Sequence, residues 1–234
     1  MLSEEKISAE NPKPIRIRFR KVGMLKYISH LDLQRTFARV LTRSGIPVRY
    51  TQGFNPHIKM VFSLPLSVGS EGECEYLDIK ITEPMAFDEM KRRLDKATTE
   101  ELSVTDIYEP RDDFHDIAYA GYDIVLRTPN ASEELAEGIR KLFSASPIMM
   151  TKKTKSGEKE VDIFPMIKSL TAEYSDDKIG IRAVLSASSD SYLNPEMLVT
   201  AIRNSLGIMS DIIHETYTIM RTDVYLSDGI TEFR

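Results

Sequence analysis

The segment IRIRFRKVGMLKYISHLDLQRTFARVLTRSG, residues 15–45, decides how the chain is read. Ile15, Ile17 and Phe19 alternate with Arg16, Arg18 and Arg20. A period of two predicts a strand with one apolar face and one arginine face. Val22 to Leu25 reads as a turn around Gly23. Ser29 has the chemistry of a helix N-cap, with Asp32 three positions on, where a carboxylate faces unpaired backbone N–H groups. The spacing predicts a helix from there to Ser44, stopped by Gly45. Leu33, Phe37, Val40 and Leu41 share one face of it. Arg35, Arg39 and Arg43 form a stripe roughly 145° away at 100° per residue.

Beyond this core the same logic continues. Residues 46–50 and 60–64 read as strands separated by the loop Thr51 to His57, which carries Gly53 and Pro56. Leu77, Ile79 and Ile81 alternate with Tyr76, Asp78 and Lys80. A helix over 87–97 and a strand over 102–108 complete the order strand, helix, strand, strand, helix, strand. That is the ferredoxin-like plan, an antiparallel sheet with two helices on one face. After a charged connector, Glu109 to Asp116, the plan repeats. Strands are expected over 118–127, 170–174, 179–185 and 212–225, with helices over 132–143 and from Asn194 to Leu206. An extra hairpin is expected over 148–163, turning at Lys155 to Glu158. The reading is an α+β chain of two tandem ferredoxin-like units. It divides into a disordered tail over 1–13, a basic unit over 14–110 and an acidic unit over 117–234.

Charge divides the same way. The 234 residues carry 31 basic and 36 acidic side chains, a net −5. From Lys13 to Ser70 there are eleven basic residues and one acidic, Asp32, so that stretch is +10 and the rest −15. Such polarity points to a polyanion-binding first unit, or to two halves that attract each other. Hydrophobic residues make up 41%, enough for packed cores. The single cysteine, Cys74, excludes an internal disulfide and any multi-cysteine cluster held by this chain alone. No window reaches the roughly 18 apolar residues of a membrane span, and residues 1–14 lack a signal-peptide core. The expected compartment is the reducing cytoplasm, with no membrane contact.

Three groups of residues are candidates for chemistry. His30 begins a helix, where the dipole is positive, next to Tyr27, Ser29, Asp32 and Arg35. The same residues also make an ordinary cap, with Asp32 pairing Arg35. His30 and Asp32 are two apart and point to different sides of a helix, so a metal site is not expected. His57, with Asn55 and Lys59, lies in a loop that is either a plain turn or an acid–base or phosphate-contacting group. Arg16, Arg18, Arg20 and Lys21 either face RNA from an open sheet or dock on the acidic half. The usual sheet aromatics of RNA-recognition folds are missing. A Walker loop, a dinucleotide fingerprint and a serine elbow are absent too.

The motifs KVG at 21–23, YISHLDLQR at 27–35, GFNPH at 53–57, LPL at 64–66 and EYLDI at 75–79 resemble the bacterial radical-SAM-linked protein family, over about residues 15–82. The run KEVDI at 159–163 also resembles that family's second half. Phe164 follows it, where a basic residue would be expected. The resemblance implies a domain of unknown function fused to, or encoded beside, a cobalamin-type radical SAM protein. It also implies RNA as a substrate class, by association of genes alone. Radical SAM chemistry needs three cysteines, so this one-cysteine chain would be the accessory partner and carry no cofactor. The expectation is a module that binds RNA through Arg16, Arg18, Arg20, Lys21, Tyr27, Ser29, Arg35, Arg39, Arg43, Asn55 and Lys59. The alternatives are an enzyme acting on an anionic substrate with His30, Asp32 and His57, and an adaptor whose two halves pack together.

Overall fold

The computed structural model describes residues 7–8, 10–154 and 157–234. The chain divides into two compact units, 1–113 with Arg234, and 114–233. In unit 1, β1 (Lys13–Lys21) is followed by α1 (His30–Ser44), β2 (Val61–Phe62), β3 (Ser70–Ile81), α2 (Phe87–Asp95) and β4 (Val104–Tyr108). The strand order is β4-β1-β3-β2, with antiparallel neighbours throughout. In unit 2, β5 (Tyr119–Arg127) is followed by α3 (Glu133–Ser144) and the hairpin β6 (Met149–Thr154) and β7 (Gly157–Asp162). Then come β8 (Ile167–Ser175), β9 (Lys178–Ser186), α4 (Glu196–Leu206) and β10 (Thr216–Tyr225). Its order is β10-β5-β9-β8, the same plan. Both units are ferredoxin-like.

The first unit forms for the reasons its sequence states. Ile15, Ile17 and Phe19 are buried against Leu33, Phe37, Val40 and Leu41 of α1. The Phe19 and Phe37 rings meet edge-on at 4.6 Å between centroids. Ser29 Oγ accepts from Asp32 N–H at 3.1 Å, and Gly45 ends the helix at φ 63°, where an L-side chain would be strained. In unit 2, Ser132 caps α3, and Asn194 Oδ1 accepts from Glu196 N–H at the start of α4. Cys74 is buried in β3.

Some elements differ from expectation. Residues 46–50 form only isolated bridges, Val48 to Ile81 and Tyr50 to Ile58, because Pro47 has no N–H to extend a ladder. The expected strand over 60–64 shrinks to two residues. Strand β3 starts at Ser70, six residues before the alternation that begins at Tyr76. Residues 212–215 do not join β10. Glu215 Oε2 accepts from the N–H groups of Ser210 and Asp211, and this closes a turn first. Residues 1–6 and 9 of the expected tail, and Lys155 and Ser156 at the hairpin tip, lie outside the described residues. Within that tail, Ser8 and Asn11 form a hydrogen-bonded turn. The β6–β7 hairpin lies between α3 and β8, the topological position that residues 45–60 fill in unit 1. No helix among the described residues is long and apolar enough to cross a membrane.

Candidate nucleic-acid interface

The arginines of β1 do not form an open face. Strand β1 is flanked by β3 and β4, and Arg16 stands directly opposite Asp78 in the β1–β3 register. Its Nε and Nη2 both reach the Asp78 carboxylate at 2.8 Å, and only 1% of Arg16 is exposed. A guanidinium withdrawn from water this far has to be paired. Lys21 and Tyr76 are buried as well, Arg18 is half-buried, and Arg20 is held by Glu73 at 2.6 Å. Of the two readings of these residues, the one open to RNA is corrected for Arg16 and Lys21, which are buried, while Arg18 and Arg20 keep partial exposure. Two-fold alternation separated the faces of β1, but it did not show that Arg16 would be buried on the polar one.

The α1 N-terminus is a closed cap. Ser29 Oγ donates to Asp32 Oδ2 at 2.7 Å, and Arg35 Nη1 donates to Asp32 Oδ1 at 3.1 Å. These bonds hold the Asp32 carboxyl below the usual carboxylate range, so it stays ionised at neutral pH. His30 is half-buried. Gln34 Nε2 lies 3.0 Å from its Nε2, and the Phe62 ring meets it edge-on at 5.3 Å. Burial lowers its pKa first and the nearby Lys21 charge second, with Glu75 opposing. With the Gln34 amide as donor, the ring is neutral and carries its proton on Nδ1.

His57 belongs to a different device. Thr51 N–H donates to His57 O at 2.8 Å, His57 N–H donates to Thr51 Oγ1 at 3.1 Å, and the hydroxyl also meets Nδ1 at 3.1 Å. These bonds cinch the 51–57 loop. Within it Gly53 sits at φ 133° and Phe54 is thrust wholly into solvent. The partners described for His30 and for His57 do not overlap. Among the described residues, no three His, Cys, Asp or Glu side chains converge as a metal site.

What the loops do present is aromatic surface beside positive charge. Tyr27 is 57% exposed, Tyr50 47% and Phe54 fully, and Lys26 Nζ stands 5.4 Å from the Tyr27 ring centre. Arg35, Arg39, Arg43, Asn55 and Lys59 are exposed, and Asp32 is the only acidic residue between Gly23 and Gly69. Tyr27 is among the residues the sequence pointed to, whereas Tyr50 and Phe54 stand on loops and not on the sheet where aromatics were expected. The signal was an aromatic inside a glycine- and proline-containing turn.

The chain belongs to the bacterial family DUF2344, described as an uncharacterized protein conserved in bacteria, whose model matches residues 14–195. No curated protein matches the sequence. Among solved structures it is similar to a chain of a Cbf5-Nop10-Gar1 complex, with a TM-score of 0.50 at 9% identity. That match covers 95% of this chain and 54% of the other, so the chain spans about half of its neighbour's length. A weaker likeness, TM-score 0.29 at 9% identity, links it to an unknown protein from Galdieria sulphuraria, covering 90% of this chain and 98% of that one. The first of these likenesses bears on the fold alone.

Proposed function

We propose that the protein is a binding module that holds a single-stranded region of RNA on unit 1 and presents it to a radical SAM partner. The observation that carries the RNA half is the set of exposed loop aromatics, Tyr27, Tyr50 and Phe54, in a segment with six cations and one carboxylate. Unpaired bases stack on such rings regardless of sequence, while arginine and lysine track the phosphates. Arg35, Arg39 and Lys59 are the phosphate contacts in this reading. Arg16 and Lys21 are left out because they are buried. The radical SAM partner rests on the sequence resemblance. The lone buried Cys74 supports an accessory role, since the partner would have to bring the cluster.

Fluorescence anisotropy of a labelled single-stranded RNA tests the first half. Binding at low salt that weakens about tenfold in Phe54→Ala is the expected result. No binding at low salt overturns it. Co-purification with a radical SAM protein of the same cell tests the second half, and a chain that elutes alone counts against it.

A further inference from the structure

We propose that a cleft between the C-terminal ends of α1 and α2 is a phosphate-binding site. It has a volume of about 320 Å³ and is lined by Arg43, Ser44, Arg92, Arg93, Lys96 and Ala97. Four of those six side chains are cations and none is a carboxylate. Three of the cations, Arg92, Arg93 and Lys96, come from a part of the sequence outside the basic stretch.

The way these cations are held matters more than their number. Arg43 Nη2 donates to Ala97 O at 3.1 Å, and Arg93 Nη1 donates to Gly45 O at 3.0 Å. A carbonyl fixes a guanidinium without neutralising it, so Arg43 is held with its charge uncompensated, while Arg93 is held by a carbonyl and by Glu89. Among the described residues the one carboxylate bonded to these cations is Glu89, which meets Arg92 at 2.7 and 2.8 Å and Arg93 at 2.6 Å. The next, Asp95, is taken by Lys91 at 2.9 Å. Lys96 has no carboxylate partner among the described residues. The neighbourhood of four cations and Glu89 is thus +3. Cations do favour helix C-termini, but one per helix serves that purpose. Four converging on one hollow repel each other until an anion enters. Planar guanidinium forks and a lysine match a tetrahedral, multiply charged oxyanion, and phosphate is the commonest.

The phosphate belongs either to a small phosphorylated molecule or to an RNA backbone, and the second source rests on the reading proposed above. Two ligands separate them and Lys96→Glu ties each to the cleft, because the Lys96 side chain makes no described hydrogen bond or ion pair and the variant should melt as the wild type does. The full chain is titrated by calorimetry with inorganic pyrophosphate, and by anisotropy with a single-stranded RNA. Saturable pyrophosphate binding that falls at least tenfold in Lys96→Glu is expected. A loss of RNA affinity in the variant without pyrophosphate binding supports the site and assigns it to a polymer. Pyrophosphate binding lost in the variant, with no RNA bound by the wild type, keeps the cleft and sinks the RNA reading. Wild-type RNA binding unchanged in Lys96→Glu, with no pyrophosphate binding, overturns the cleft alone.

Discussion

Arg43 and Arg93 cap each other's helices. Arg43, in the last turn of α1, donates to the Ala97 carbonyl just past α2, and Arg93 of α2 donates to the Gly45 carbonyl that closes α1. The last carbonyls of a helix lack intrahelical partners, so each arginine satisfies a group that its neighbour leaves open. The two helices are thereby pinned at one end by two reciprocal bonds.

Each cap should be measurable. Arg43→Ala and Arg93→Ala are each expected to lower unfolding free energy by about 1 kcal/mol, the net worth of a hydrogen bond in a partly exposed setting. Because the two share one helix pair, the double variant should lose less than the sum. Urea unfolding checks both, and strict additivity would mean that the caps act independently.

The pair of Arg16 and Asp78 makes a larger claim. Asp78→Ala leaves a guanidinium of 1% exposure without its carboxylate. The expected loss is about 3 kcal/mol. Asp78→Asn, which keeps a side-chain oxygen to accept from the guanidinium and loses only the charge, should cost less than Asp78→Ala. Urea unfolding checks the order, and an Asp78→Asn variant as weak as Asp78→Ala would contradict this account.

His30 should make stability depend on pH. Its folded pKa lies below the ordinary value of 6.5, so near and below that pH the unfolded chain binds the extra proton first. The contribution is full above pH 6.5 and is lost as the pH falls from there toward the folded value. His30→Gln, which keeps a polar side chain beside Gln34, should flatten the slope between pH 7 and pH 5.5. A slope equal to the wild type's would place the titration elsewhere.

Charge and stacking should separate in RNA binding. Single-stranded binding loses about 0.7 in log–log salt slope for each phosphate contact removed, so Arg35→Ala with Arg39→Ala should shallow the slope by roughly 1.4. Phe54→Ala should lower affinity about tenfold, or about 1.4 kcal/mol, and leave the slope as it was. An aromatic variant that changed the slope would argue against a stacking role.

Much of this architecture was legible in the residues. The alternation of Ile15, Ile17 and Phe19, and the bracket of Ser29 and Gly45 around α1, state the first half of a ferredoxin-like unit. The fate of Arg16 was not legible, because alternation distinguishes two faces without saying which is covered. It takes the β1–β3 register to bring Asp78 opposite. His30 was visible as a helix-start residue, but its ring is taken by Gln34 and Phe62, the second from a strand 32 positions away. The full exposure of Phe54 was not legible, because nothing in the GFNPH turn says whether a core takes the ring. Arg43 and Arg93 are 50 positions apart, and only the packing of two helices makes them neighbours.

The β6–β7 hairpin and residues 45–60 occupy one equivalent joint, the passage from the first helix of each unit to its outermost strand. There one copy of the plan carries a cinched loop and the other a projecting ribbon, while the strand order on either side is unchanged. The joint is thus a socket: the sheet does not register what is plugged into it. Two copies of one scaffold can diverge there freely, each acquiring its own reach, and the tandem becomes a pair of handles on a common pattern.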